Sequence, residues 1–418
     1  MNFIDFGLDA AIIKAVTAQG YTEPTPIQAK AIPPILAGHD VMGAAQTGTG
    51  KTAGFMLPIL HRLSLSSFSQ KKQARALVLT PTRELAAQVS ANAVSYSKHL
   101  GLRIAAVFGG VNINPQKKKL ANGIDVLIAT PGRLLDLCQQ QAVGFSHLEV
   151  LVLDEADRML DMGFIKDIRK IEALLPKHRQ TLMFSATFSD DIRKLSQGII
   201  KEPVEISVTP RNSTVQAIEQ CVYPVDKKRK PEMLKYLINT HNWKQALVFC
   251  RTKHGANKLT RYLEKHNIHA IAIHGNKSQG ARTNALSAFN QGKATILVAT
   301  DIASRGIDIN QLPLVVNIDL PNVPEDYVHR IGRTGRAGTS GNAISLVCAD
   351  EFELLVAIER CIKQVIPRQV IDKFIPDTEL APSSLTTKIA FKKKKKAKNF
   401  NKAVSQKRAV KKQYFKKK

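Results

Sequence analysis

The sequence predicts an α/β protein of two tandem parallel-sheet domains joined by a short linker and followed by a basic tail. Three observations predict it. Short β-rich apolar runs alternate with amphipathic helical stretches, the pattern of parallel sheets covered on both faces. Two of these runs recur, with their flanks, at a constant offset of 170 residues. A chain of 418 residues is also long for a single core.

Taken in order, Val41-Met42 is a short apolar strand, followed by ALVLT (76–80), DVLIAT (125–130), EVLVLD (149–154) and QTLMFSA (180–186). The second half repeats the style with QALVFC (245–250) and ATILVAT (294–300). Residues 76–89 and 246–259 share Ala-Leu-Val, a Thr followed by Arg or Lys, and a later Ala. VLIAT (126–130) matches ILVAT (296–300) at the same offset. A common offset argues for two copies of one α/β unit. Between them lies Thr209-Pro-Arg-Asn-Ser-Thr214, polar and turn-prone, so the expected division is a first domain over 1–208, a linker over 209–217 and a second domain over 218–375. From 376 to 418 the pattern decays into a Lys-rich stretch with few large apolar residues. It is expected to be a disordered arm.

The formal charge is +27, and 15 of the Lys and Arg residues lie from Ala381 onward with no Asp or Glu among them. The remaining residues therefore still carry +12, a surplus that suits a polyanion, nucleic acid before an anionic membrane. Five scattered cysteines form no CxxC pair and no zinc spacing, which points to reduced thiols in a reducing compartment. The opening MNFIDFGLDA lacks the basic and apolar regions of a signal peptide, and no apolar run approaches bilayer length. A cytoplasmic protein without a membrane partner is expected.

The chemistry is read from four segments. Leu151-Val152-Leu153 stops at Asp154-Glu155-Ala156-Asp157, placing carboxylates at a strand's carboxyl end, where open α/β sheets hold ligands. About a hundred residues earlier stands Ala45-Gln46-Thr47-Gly48-Thr49-Gly50-Lys51-Thr52, a P-loop with Ala in place of its first Gly. Backbone N–H groups there would line phosphate oxygens, Lys51 would meet the β/γ-phosphates and Thr52 would coordinate Mg²⁺. Asp154 would hold Mg²⁺, through water, and Glu155 would orient and deprotonate the attacking water. A Gly-rich turn with an incidental Lys, and an acidic helix start, are the competing readings. His329 to Arg336 sets three arginines three apart among glycines, which fits arginines delivered to a γ-phosphate better than a plain helix face. Tyr21 and Gln28 in a proline-rich turn offer an aromatic to stack on adenine and an amide to read its N6 and N7.

Together these segments resemble, in order and spacing, the DEAD-box RNA helicases of helicase superfamily 2, the bacterial RhlE-type branch most closely, over roughly residues 3 to 365. The resemblance implies RecA-like domains. It implies ATP and Mg²⁺ as cofactors, with Tyr21, Gln28, Ala45 to Thr52 and Asp308 at ATP, and Thr52 and Asp154 at the metal. Glu155, Lys51, Arg333 and Arg336 would be catalytic, the two arginines as γ-phosphate fingers. Asp157, Ser185, Thr187 and His329 would couple hydrolysis to movement. Arg83, Gly110, Thr130, Arg133, Gly275, Arg282 and Thr300 would touch RNA phosphates and sugars.

Such an arrangement implies RNA-stimulated ATP hydrolysis coupled to domain closure, with local unwinding and no sequence preference. RNA, as single strand and short duplex, is the expected partner, in ribosome precursors or mRNA decay complexes, with the protein a monomer. Two rivals remain from other classes. A passive RNA clamp or annealing chaperone would act equally without ATP. A DNA-directed motor would respond to DNA as to RNA.

Overall fold

The computed structural model describes residues 2–45, 48–66, 70–186, 188–208, 218–304, 312–335 and 341–387. The expected linker, 209–217, lies outside them, as do the site residues Gln46, Thr47, Thr187, Asp308 and Arg336.

The first unit runs α1 (Ala10–Thr17), α2 (Pro26–Leu36), β1 (Val41–Ala44), α3 (Lys51–Ser64), β2 (Ala74–Leu79), α4 (Arg83–Tyr96), β3 (Ile104–Val107) and α5 (Asn114–Leu120). It continues with β4 (Ile124–Ala129), α6 (Pro131–Gln139), β5 (Val150–Leu153), α7 (Ala156–Asp161), α8 (Ile165–Glu172), β6 (Gln180–Ser185), α9 (Asp190–Ser196) and β7 (Val204–Ser207). The second unit runs β8 (Ile218–Pro224), α10 (Lys230–Thr240), β9 (Ala246–Phe249), α11 (Lys253–Glu264), β10 (Ala270–Ile273) and α12 (Gln279–Asn290). It ends with β11 (Ile296–Ala299), α13 (Asp301–Ser304), β12 (Leu314–Asn317), α14 (Pro324–Ile331), β13 (Gly341–Val347) and α15 (Phe352–Ile362).

The strands form two sheets, of order β3-β4-β2-β5-β6-β1-β7 and β10-β11-β9-β12-β13-β8. All pairings between these strands are parallel. Position by position, the second order repeats the first with one edge strand fewer, so the echo in the sequence is a repeat in topology. Its residues now have a physical meaning. Thr82 and Thr252 are the N-caps of α4 and α11, accepting from Leu85 N at 3.3 Å and Gly255 N at 3.0 Å, and the basic residue after each opens the helix. Both faces of each sheet are covered, which explains why the strands read as apolar runs rather than alternating patterns. In β5, Leu151, Val152 and Leu153 are all buried, each adding about 1.5–3 kcal/mol of apolar burial.

One boundary of the sequence reading needs correction. Residues 376–387, assigned there to the disordered tail that starts at 376, are packed on the second unit. The chain after α15 first pairs with the edge strand β8, Val222 N donating to Pro367 O at 2.8 Å and Gln369 N to Val222 O at 2.9 Å. It then turns back, and Arg368 donates to the carbonyls of Leu380 and Ala381 at 2.9 and 2.6 Å. Leu380 is buried, and Arg360 of α15 holds the carbonyls of Leu385 and Thr387. Composition missed this strap because two arginines and one leucine anchor it, with no periodicity to betray it. Among the described residues no helix is long and apolar enough to cross a membrane.

Candidate active site and nucleic-acid interface

Apart from Tyr21, Gln28 and Arg282, the expected site residues that are described lie at or after the carboxyl ends of strands, where a parallel sheet opens its crevices. Sheet order divides this rim in two. In the first unit, Arg83, Gly110, Thr130 and Arg133 follow the neighbouring strands β2, β3 and β4. Ala45 to Thr52, Asp154 and Ser185 follow β1, β5 and β6 on the other side. In the second unit Gly275 and Thr300 follow β10 and β11, while His329 and Arg333 follow β12 through α14.

The phosphate loop is built on positive φ. Gly48 and Gly50 have φ of 85° and 90°, and a Cβ on Gly50 would overlap Gln28 Nε2. Ala45 is fully buried at the tip of β1, where its N donates to Ser185 O at 3.0 Å, so a small residue rather than Gly suffices there. Lys51 opens α3, is buried, and donates from Nζ to Ala45 O at 2.8 Å. Thr49 and Thr52 are half-buried beside it. Gln28, expected to read adenine, is buried against the loop. Its Nε2 donates to Gly50 O at 3.1 Å and its Oε1 accepts from Thr25 N at 2.9 Å, so in this arrangement the amide braces the phosphate loop. Tyr21 is packed against Phe3 and Tyr96, with the two tyrosine hydroxyls 3.0 Å apart.

The carboxylates sit where β5 turns into α7. Asp154 N extends the strand by donating to Leu79 O at 2.9 Å, and Glu155 caps α7 with φ 53° and ψ 52°. A left-handed glutamate costs on the order of 1–2 kcal/mol, strain that collects at functional sites when the surroundings enforce it. Asp154 is 3% exposed, and burial pushes its carboxyl up to about 7 against the opposing pull of the Lys51 charge. Asp157 ties the acidic turn to β6: its Oδ2 accepts from Ala186 N at 3.1 Å and its Oδ1 from Arg158 N at 3.0 Å. Ser185, at the end of β6, is fully buried, and its Oγ has no partner among the described residues.

Across the cleft, Arg158, Phe249, Asp301, Asp326, His329, Arg330 and Arg333 line one cavity. Residues of the acidic turn and of the arginine-bearing helix thus share a wall. Sequence reasoning missed the function of Arg330. It is 2% exposed and bidentate to Asp301 at 2.6 and 2.8 Å, and it also donates to Asn317 Oδ1 at 3.0 Å and Asp319 O at 2.6 Å. Its guanidinium lies 5.0 Å from the centre of the Phe249 ring. That arginine fastens α14 to the sheet, while Arg333, 6% exposed, lines the same cavity.

At the other half of the rim, the Arg83 guanidinium occupies the place a Cβ on Gly110 would take, and Gly110 has φ 77°. Gly110 thereby seats Arg83. Arg133 donates to Val111 O at 3.0 Å, and Thr130 caps α6. Gly275 is exposed and Thr300 half-buried. Arg282, expected at RNA, is held by a contact between the two units. It is 7% exposed and its Nη2 lies 3.0 Å from Glu84 Oε2 of the other unit, while Gln279 Nε2 donates to Glu84 Oε1 at 2.9 Å. Two side chains of α12 thus converge on Glu84, a contact between distant segments that no local pattern in the sequence marks.

The DEAD/DEAH box helicase family matches residues 25–195 and the helicase conserved C-terminal domain matches 229–338. ATP-dependent RNA helicase CshA of Listeria monocytogenes is 44% identical over 365 residues, 87% of this chain and 69% of the relative. The chain belongs to the DEAD-box family of ATP-dependent RNA helicases. DEAD-box ATP-dependent RNA helicase RhpA of Helicobacter pylori is 42% identical, covering 86% of this chain and 72% of its own. Among solved structures, S. cerevisiae Dbp5 bound to RNA and ADP BeF3 superposes with a TM-score of 0.80 at 30% identity, over 89% of this helicase and 96% of that chain. A DEAD box protein from Methanococcus jannaschii is 39% identical over 88% of this helicase and 99% of its own chain, with a TM-score of 0.52.

Proposed function

We propose that this helicase hydrolyses ATP in a site shared by its two domains and that RNA, bound along the other half of the rim, gates the reaction. The observation that carries this is the pair of contacts between the units, one at each half: Arg158 to Asp326 beside the acidic turn, and Glu84 to Gln279 and Arg282 beside the expected RNA residues. The comparison of neighbours supports a closed arrangement. At equal coverage, the relative carrying RNA and a nucleotide analogue superposes better than one of higher identity, the result a difference in domain placement gives.

Lys51 and the backbone of the phosphate loop would hold the β/γ-phosphates, and Glu155 would align the attacking water and take its proton. Arg333 would bring positive charge to the γ-phosphate only when the domains meet, so neither domain alone is competent. Mg²⁺ fits the oxygen donors present. Asp154 and Thr52 supply one carboxylate and one hydroxyl, and among the described residues no cluster of three or more His, Cys, Asp or Glu side chains forms a protein cage. This suits an ion that keeps waters and shares phosphate oxygens. When bound, it would neutralise charge on the β- and γ-phosphates. The buried charge of Asp154 would then have a partner.

Contacts to RNA from strand-end loops and helix starts address the backbone rather than base edges, so binding would be indifferent to sequence. Five free cysteines fit a reducing, cytoplasmic setting. Glu155→Gln and Lys51→Ala should each abolish RNA-stimulated hydrolysis, Lys51→Ala by losing nucleotide affinity and Glu155→Gln while keeping it. Turnover retained by Glu155→Gln would sink the assignment. Equal stimulation by DNA of the same length would favour the DNA motor, and unwinding unchanged without ATP the passive clamp.

A further inference from the structure

Arg158 and Asp326 stand outside every residue assigned above to ATP or RNA, yet they form the ion pair across the ATP half of the cleft. Arg158 Nη1 lies 3.4 Å from Asp326 Oδ1, with the two side chains 6% and 16% exposed. The bond spans 168 residues and both domains, so it exists only when the domains are together.

Each end is tied to catalytic parts. Arg158 lies in the short helix α7 that Glu155 caps, directly after Asp157, whose carboxylate is fixed to Ala186 N at 3.1 Å. Asp326 lies in the first turn of α14, one turn before His329 and Arg330 and two turns before Arg333. Arg330 pins the far end of α14 through Asp301, Asn317 and the Asp319 carbonyl, so the helix moves as a rigid lever with the sheet of the second domain. A charged pair this well screened from solvent acts at a longer effective range than an exposed one, and stranding either partner costs more than the pair returns.

We propose that Arg158 and Asp326 form a positioning clasp that sets α14, and with it Arg333, against Glu155 when ATP and RNA draw the domains together. The clasp rests on the functional reading above and deepens it. Neither residue touches the reacting atoms. Both act on how often, and in what register, the two jaws meet, so their loss lowers RNA-stimulated kcat and apparent RNA affinity while leaving ATP binding by the first domain alone.

The test uses the full chain with Arg158→Asp, Asp326→Arg, their combination, and the milder Asp326→Asn. Polyuridylate-stimulated hydrolysis, nucleotide affinity without RNA, and the interdomain distance by fluorescence transfer are the readouts. Each single variant should lose about fivefold or more in RNA-stimulated kcat or RNA affinity, the scale of a modest coupling energy. RNA-free nucleotide affinity should stay within about twofold, which also certifies folding, and the combined exchange should recover most of the loss. Wild-type coupling in Asp326→Asn and Arg158→Asp, or an exchange no better than the worse single variant, overturns the clasp. If the unaltered protein shows no RNA stimulation, the functional reading fails instead. The distance measurement then still decides the clasp, because single variants that close like the wild type overturn it.

Discussion

Asp154 shows how a single residue's surroundings set its chemistry. Burial raises its carboxyl to about 7, so in the nucleotide-free protein it holds a proton that the unfolded chain has already released above about pH 4. Between those values the folded state binds more protons than the unfolded one, and stability falls as pH rises. Asp154→Asn removes this dependence, so its unfolding midpoint should gain on the wild type from pH 4 to pH 7 and hold that gain above. A difference independent of pH in that window would refute the account. In its proposed role as a Mg²⁺ ligand Asp154 would have to lose the same proton first, so Mg²⁺ affinity should drop as pH is lowered through about 7. Gly110 shows a different constraint, since its place is shared with the Arg83 guanidinium. Gly110→Ala should weaken RNA binding with ATP affinity in the absence of RNA unchanged, as titrations of each ligand would show.

Among the elements, α4 and α11 show how a repeated local signal builds repeated structure: strand, turn, threonine cap, basic residue. The strap at 376–387 shows the opposite case, an ordered segment held by long-range contacts alone. Leu380 packs with Ile358, Ile362 and Ile366 around α15, and Arg368 and Arg360 satisfy the carbonyls that such an irregular chain would otherwise leave open. Leu380→Ala should cost about 2–3 kcal/mol, as truncation of a buried leucine does, measured by urea unfolding of the second domain's transition. A chain ending at 387 should match the full protein in that measurement, and one ending at 375 should not.

For the whole molecule, the proposed function makes closure a property of both halves of the rim at once, through the contacts across the cleft. Glu84 is 8% exposed and receives both Gln279 and Arg282, so neutralising it leaves a buried guanidinium without its anion in the closed state only. Glu84→Gln should therefore reduce the closed population under saturating ATP and RNA, read as interdomain distance, while the unfolding midpoints of both domains stay near wild type. A lowered midpoint with closure intact would assign Glu84 to folding instead. By reciprocity, the variant should also lose part of the RNA-induced gain in ATP affinity.

By itself the sequence determined seven of the thirteen strands described, β1, β2, β4, β5, β6, β9 and β11, together with the phosphate loop, the acidic turn and the arginine run, because each is contiguous and its chemistry follows from residue type and spacing. It also exposed the duplication, since strand cores and helix caps are local signals that survive in both copies. The tertiary structure alone decided where long side chains point. Gln28 turns to Gly50, Arg282 to Glu84 and Arg330 to Asp301, and Arg158 meets Asp326 across 168 residues. Direction is a long-range property, set by which charged or polar partner folding brings within reach. No local pattern around an arginine reveals whether it will face RNA, a phosphate or the other domain.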